Sequence, residues 1–448
     1  MRRFITTMAA MLISMSLCQL AQADDVLEII SDTGPDTNRL DIVILGDGYT
    51  DAQADLFRQH STELIASISE ASPWKEYAET VNWYRVVSTS LESGADHPAQ
   101  NQMVDTYFDS YFDCNNIARL LCADTQKAAQ VALGLVPQAE HILLLVNDET
   151  YGGSGGGVAV VSTHEFASLI TIHELGHTVS GLADTYTIPY PGFPPGDPEP
   201  NVDFDSTFGA IKWNHWIDSA TPLPSDGFAA TNLTPIGAYE GARYQETGIY
   251  RPAPECLMRS LGIDFCAVCE EASIVSLYSV FSPVDGVMPA VDQPVSVERG
   301  VAASFAIETL AVDSIVIQWT LDGQDLTTGA LLEFRPDNSI ENGMHQLVAT
   351  ITDTTAAVRV APVGLLVESY TWTVEVSGEM LQEPDAGSSG DGDGDGDGDG
   401  DGDADTGSLT GGCGCQQGSA SGSWLLGVFL ILWIRRKRLT GVVQSPNE

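Results

Sequence analysis

A chain of 448 residues has room for two or three domains, and 43% hydrophobic residues suffice for ordinary packed cores. The formal net charge is −43 and the acidity runs through nearly the whole chain, which argues against a nucleic-acid partner because phosphate repels such a surface. The charge fits solubility or a saline exterior and says little about mechanism.

Residues 1–23 read as a secretion signal. Arg2 and Arg3 form a basic start, residues 4–20 are largely apolar, and Ala21-Gln22-Ala23 is a cleavage site of A-x-A type. The mature chain is expected to be exported, to the cell surface or beyond. A first domain is expected over 24–281. Residues 40–45 predict a buried strand ended by Gly46-Asp47-Gly48, then a helix from about 51 capped by Thr50 and Gln53. Residues 83–89 predict a second strand, 126–135 a helix, 141–146 a third strand and 158–161 a fourth. Strand and helix alternate, so this part is expected to be α/β (α+β) with a mixed sheet. The glycine run 152–157 either forms a plain loop or lets a substrate backbone approach the strand beside it; the second reading is preferred.

Residues 173–186 carry the chemistry: His-Glu-Leu-Gly-His-Thr-Val-Ser-Gly-Leu-Ala-Asp-Thr-Tyr. His173 and His177 are four apart, so on a helix they leave one face one turn apart. Two imidazoles so placed can hold one Zn2+ ion, with Glu174 beside it as a base for bound water. Gly181 can take the left-handed conformation that ends a helix, and the chain can then swing Asp184 back toward the metal. Ser162 and Glu165 have capping-box spacing for the helix start.

From 184 to about 251 the chain is rich in Pro, Gly and aromatics, which predicts loops that form substrate subsites. His215, between two tryptophans, reads as packed rather than as an extra ligand. Beyond Cys18 in the signal there are seven cysteines. In an exported chain, Cys114 with Cys122 is an easy local disulfide, and Cys256 could pair with Cys266 or Cys269, leaving one over. Cys266 and Cys269 also have the spacing of half a zinc knot, but no second pair matches it, so a disulfide is the preferred reading.

Residues 282–379 change texture to short alternating runs: 294–298, 303–308, 314–321, 331–334, 346–352 and 371–376, with Asp322-Gly323 as a hairpin turn. They predict an all-β, immunoglobulin-like sandwich with Trp319 in its core. Residues 380–411 form an Asp/Gly-rich linker; structural Ca2+ is conceivable there, but a self-repelling spacer fits better. Over 412–438 come a Gly/Cys motif, 11 apolar residues at 424–434 and the basic cluster 435–438, followed by a tail, 439–448. Eleven residues are short for a bilayer, which takes roughly 20. This arrangement resembles the C-terminal sorting signals of exported proteobacterial proteins. It implies at least a passing membrane contact, a sorting protease as partner and delivery to the Gram-negative outer surface; the other reading is a permanent short anchor.

Several ordered segments carry a wider resemblance. They include Asp41-Ile-Val-Ile-Leu-Gly-Asp-Gly-Tyr49, Glu92-Ser-Gly-Ala-Asp-His-Pro98, Tyr151-Gly-Gly-Ser-Gly-Gly156, the motif helix, Tyr239-Glu-Gly-Ala-Arg-Tyr244, Cys256-Leu-Met-Arg259 and Phe265-Cys-Ala-Val-Cys269. Over roughly 38–275 the chain resembles the bacterial IgA-specific metallopeptidase family, a metzincin-like group. The resemblance implies that His173, His177 and Asp184 bind one zinc ion, that Glu174 is the catalytic base, and that Met258 lies beneath the metal. This chain has one more residue before Gly181 than the usual metzincin spacing, and Asp184-Thr185-Tyr186 where the family has Asp-Glu-Tyr.

The expected activity is hydrolysis of extracellular proteins or peptides, with Tyr250 or Tyr244 as a hydrogen-bond donor to the oxyanion. Two rival readings remain at this stage: a surface adhesin with an inactive peptidase fold, and a zinc amidase acting on cell-wall peptide. Activity on IgA itself does not follow from the resemblance, because loops set specificity.

Overall fold

A computed structural model of the chain describes residues 25–189, 198–226 and 235–382. The secretion signal, most of the Asp/Gly-rich linker, the Gly/Cys motif, the apolar segment and the tail lie outside the described residues. Among the described residues no helix is long and apolar enough to cross a membrane.

The first part is mixed α/β. In chain order it runs β1 (Val26–Ser31), β2 (Leu40–Asp47), α1 (Ala54–Ile68), β3 (Val81–Val87), α2 (Thr125–Leu135) and β4 (His141–Val146). It continues with β5 (Gly153–Ser154), β6 (Ala159–Ser162), α3 (Ala167–Thr178), β7 (Tyr239–Ala242), β8 (Gln245–Arg251) and α4 (Ala267–Leu277). Six strands form one sheet in the order β1-β3-β2-β4-β6-β5. The four middle strands are parallel, and β1 and β5 run antiparallel at the two edges.

Every residue of β2 is buried, because the sheet is covered on both faces. Ile42 and Ile44 face one core with residues of α1, α3 and α4, while Val43 and Leu45 face a second core with Ala128 and Ala132 of α2. This two-residue alternation is the pleat of a strand between two layers.

β1 and the hairpin β7–β8 were not legible in the pattern. Another difference concerns the start of α3. Ser162 does not cap it: Ser162 ends β6, where its hydroxyl donates to the Gly152 carbonyl, and the helix begins at Ala167 after a turn. The glycine run also behaves differently from expectation. It supplies β5, which itself pairs with β6, and the segment at 119–121 hydrogen-bonds to Gly153 from outside. β6 is therefore an inner strand with no free edge for a substrate.

The second part holds β9 (Val284–Met288), β10 (Val295–Glu298), β11 (Ala303–Thr309), β12 (Ile315–Leu321), β13 (Gln324–Thr328), β14 (Leu331–Phe334), β15 (Gly343–Asp353) and β16 (Val367–Ser377). A five-stranded sheet, β10-β16-β15-β12-β13, and a three-stranded sheet, β14-β11-β9, share one apolar core. Trp319 is fully buried there and stacks on Trp372, with ring centres 5.4 Å apart. Asp322 and Gly323 both have positive φ, as a two-residue hairpin turn needs.

The two parts lie within one compact unit. Arg39 pairs with Asp285, the hydroxyls of Tyr77 and Tyr278 both donate to Asp353, and Glu271 accepts the backbone N–H groups of Arg359 and Val360.

Candidate metal centre

The helix α3 presents His173 and His177 one turn apart, their ring centres 4.9 Å from each other. Each ring is locked from behind. His173 Nδ1 donates to the Leu257 carbonyl at 3.0 Å, and His177 Nδ1 donates to the Leu182 carbonyl at 2.7 Å. Those bonds fix the tautomer and leave each Nε2 lone pair facing outward.

Gly181 (φ 62°) turns the chain after the helix, and Leu182 N–H returns to the Gly176 carbonyl. The turn carries Asp184 to the imidazoles. Its Oδ1 lies 3.1 Å from His173 Nε2 and 3.5 Å from His177 Nε2. The loop is held by Asn201, whose amide bonds both the N–H and the carbonyl of Ala183, and by Thr185 N–H on the Met258 carbonyl.

Asp184 Oδ1 is buried and has no hydrogen-bond donor of its own, while Oδ2 accepts from the Tyr244 hydroxyl. With both Nδ1 protons committed, three acceptor atoms face one another within 4.8 Å. Only a cation between them makes that arrangement favourable: protons on the imidazoles or a metal ion. Protons are taken up readily. Burial opposes a charge on His177, but the hydrogen bond and charge of Asp184 outweigh it and push its pKa up to about 9. Burial likewise works against ionised Asp184, yet the two imidazoles hold it well below the usual carboxylate range. Two imidazole nitrogens and one carboxylate oxygen are also a donor set that zinc accepts, so these residues fit the metal.

Glu174 stands beside the triad. Burial raises its pKa, and the two imidazoles partly offset that rise. Gly155 closes over it: a Cβ at that position would fall inside contact distance of Glu174 Oε2. This is one structural use of the glycine run, beside its pairing with β6.

Met258 is fully buried below the helix. Its sulfur would be 2.8 Å from a Cβ placed on Gly176, so the glycine inside the motif admits the methionine.

Tyr244 is committed to Asp184. Tyr250 lies in β8, its backbone paired with Asp203 and its side chain packed on the main core. Tyr186, absent from the sequence-based candidates, is at the site. Its ring packs edge-on against Tyr244 at 5.3 Å, and burial followed by the Asp184 charge pushes its pKa up to about 12. Arg119 also reaches the centre electrostatically, favouring the ionised forms of Glu174 and Tyr186. It sits in the loop closed by the Cys114–Cys122 disulfide, far from the motif in sequence. His215 is elsewhere, bonded to Glu271 at 2.6 Å. Cys256, Cys266 and Cys269 are all unbonded, contrary to the expected disulfide; the turn before α4 gathers three thiols at one place instead of two.

The family model described as IgA Peptidase M64 matches residues 28–234 and 228–277. No curated protein matches the chain. Among solved structures, a quinonprotein alcohol dehydrogenase-like protein from Bacteroides thetaiotaomicron is 12% identical, with a TM-score of 0.17 over 22% of this chain and 21% of that one. A Bacteroides ovatus protein of a mixed-linkage glucan utilization locus, solved with a mixed-linkage heptasaccharide, is 16% identical, with a TM-score of 0.15 over 20% and 23%. The chain thus spans less than a quarter of either structure, and likeness at this level fixes neither fold nor function.

Proposed function

Because this chain belongs to the IgA peptidase M64 family, we propose that it is a zinc-dependent endopeptidase with a metzincin-like catalytic domain. The observation that carries the reading is the convergence of His173 Nε2, His177 Nε2 and Asp184 Oδ1 beside the buried carboxyl of Glu174. Those three atoms would hold the ion. Zinc bound there supplies Lewis acidity, which makes water acidic and polarises a carbonyl.

The chain's own residues do the proton work. Glu174 takes a proton from the attacking water and passes it to the leaving amine. Its raised pKa suits both halves of that task, since a group titrating closer to neutrality can accept and then give. Gly155 keeps backbone against the carboxyl and limits its rotamers. Tyr244 fixes the second oxygen of Asp184, which leaves the first for the ion. Tyr186, packed edge-on against Tyr244 and within reach of the same Asp184 carboxylate, joins Tyr244 as a candidate donor to an oxyanion.

The substrate we propose is an extracellular protein or peptide, met after export directed by residues 1–23 and sorting directed by 412–438. The two-sheet module is read as an immunoglobulin-like spacer or binding unit. The rival of an inactive surface adhesin loses ground because the Glu174 carboxyl stands beside an intact ligand set.

The test is zinc content and casein hydrolysis of the purified protein and its Glu174→Gln variant. Zinc in both, with hydrolysis lowered at least about 100-fold in the variant, is the expected result. Undiminished hydrolysis by the variant would sink the mechanism.

A further inference from the structure

Three thiols lie outside the catalytic reading. Cys256, Cys266 and Cys269 are 3%, 0% and 0% exposed, and their sulfurs lie within 4.8 Å of one another. The Cys256 and Cys269 sulfurs are 3.6 Å apart. Sulfurs held about 2.3 Å from a common ion would be about 4 Å from each other, so this spacing is that of a metal-thiolate site. Elsewhere in the same chain Cys114 and Cys122 are bonded, while these three are not.

One of the sulfurs faces a backbone donor. The Cys266 N–H points at Cys256 Sγ at 3.2 Å. Cys266 is the N-cap of α4 and Cys269 lies in the helix's first turn, at the positive end of its dipole. A cation bound among the three sulfurs would displace their protons and offset the burial of the thiolates it creates.

We propose that Cys256, Cys266 and Cys269 form a second, structural metal site that binds a thiophilic d10 ion through three thiolates. Zinc and cuprous copper share this preference for soft sulfur donors. Copper is satisfied by three sulfurs, whereas zinc would draw in a fourth ligand. The site clamps the turn that serves the catalytic centre: Leu257, next to Cys256, accepts the His173 Nδ1 proton, and Met258 follows it. The ion would tie that turn to the first turn of α4, making it a fixed base under the motif helix.

Elemental analysis of the purified full chain tests this, alongside the double variant Cys266→Ser/Cys269→Ser and, separately, His177→Ala. The wild type should carry about two metal equivalents and each variant about one. Zinc alone or copper in the ion lost from the cysteine variant identifies the occupant. Because the two variants remove different ions, failure of the catalytic assignment would show only in His177→Ala. If the double variant does not fold, alkylation of wild-type thiols decides. All three cysteines should resist reagent in the native protein and all three should react, without reductant, once it is denatured with a chelator. A metal content that the double variant leaves unchanged, or a single reactive thiol among the three, would overturn the proposal in favour of an empty cluster or a disulfide.

Discussion

Two donor clusters sit on either side of one short turn, residues 256–258, and they are built oppositely. His173, His177 and Asp184 offer nitrogen and oxygen, the histidines remain partly exposed, and an ionisable carboxyl stands alongside. Cys256, Cys266 and Cys269 offer sulfur only, are sealed from solvent, and have a backbone N–H, that of Cys266, aimed at the Cys256 sulfur. An open set with a spare acid–base group suits chemistry, and a closed set suits architecture. The difference comes from position: one cluster lies at the end of a helix where a loop returns, the other beneath it in the core.

The largest effect that would sharpen this contrast is expected from Tyr244→Phe. It removes the donor to Asp184 Oδ2 and leaves the thiols untouched. Metal affinity at the histidine site should fall by about 10- to 100-fold, as loss of a ligand's supporting hydrogen bond does. Competition with a graded chelator measures it, and unchanged affinity would mean that Asp184 needs no such support.

Gly155→Ala comes next. A methyl group there must displace the Glu174 carboxyl, so kcat should drop by about 10-fold while metal content stays constant. A steady-state assay beside metal analysis separates the two, and a drop in metal content instead would place Gly155 under the ligands rather than the base.

The smallest effect is one of pH on the chelated protein. His177 has a folded pKa of about 9 against an ordinary 6.5, so its contribution to stability is full below 6.5 and is lost as pH rises through about 9. Asp184, held below its ordinary 3.8, contributes above that value and loses its contribution only in stronger acid. Melting temperature without metal should therefore decline by a few degrees between pH 6.5 and 9.5, and metal should flatten that slope. An equal decline with metal bound would show that other groups govern it.

Sequence period sufficed for the parts whose signals are local. Residues 40–45, 141–146 and 331–334 lie in strands within a residue or two of expectation, and α2 follows its apolar spacing. The first two are continuous apolar runs buried on both faces, and the third alternates between exposed and buried residues. β1 and β13 escaped because both are edge strands with mostly exposed side chains, so the pattern carries little amphipathic signal. The capping box at Ser162 failed for a related reason: the hydroxyl had a tertiary partner, Gly152, that no local rule contains.

The sequence by itself determined the two imidazoles, the acid between them, the left-handed stop at Gly181 and the carboxylate after it, because a helix of fixed pitch and a glycine turn are local consequences of residue type. Only the tertiary structure decided what surrounds them. Leu257 reaches His173 across 84 positions of chain, Tyr244 reaches Asp184 across 60, and Arg119 arrives on a separate disulfide loop. Cysteine spacing offered two candidate pairs, and three-dimensional packing gathered all three sulfurs at one point. Ligand type is written in the residues; orientation and company depend on contacts between distant segments, and those are fixed only when the whole core closes.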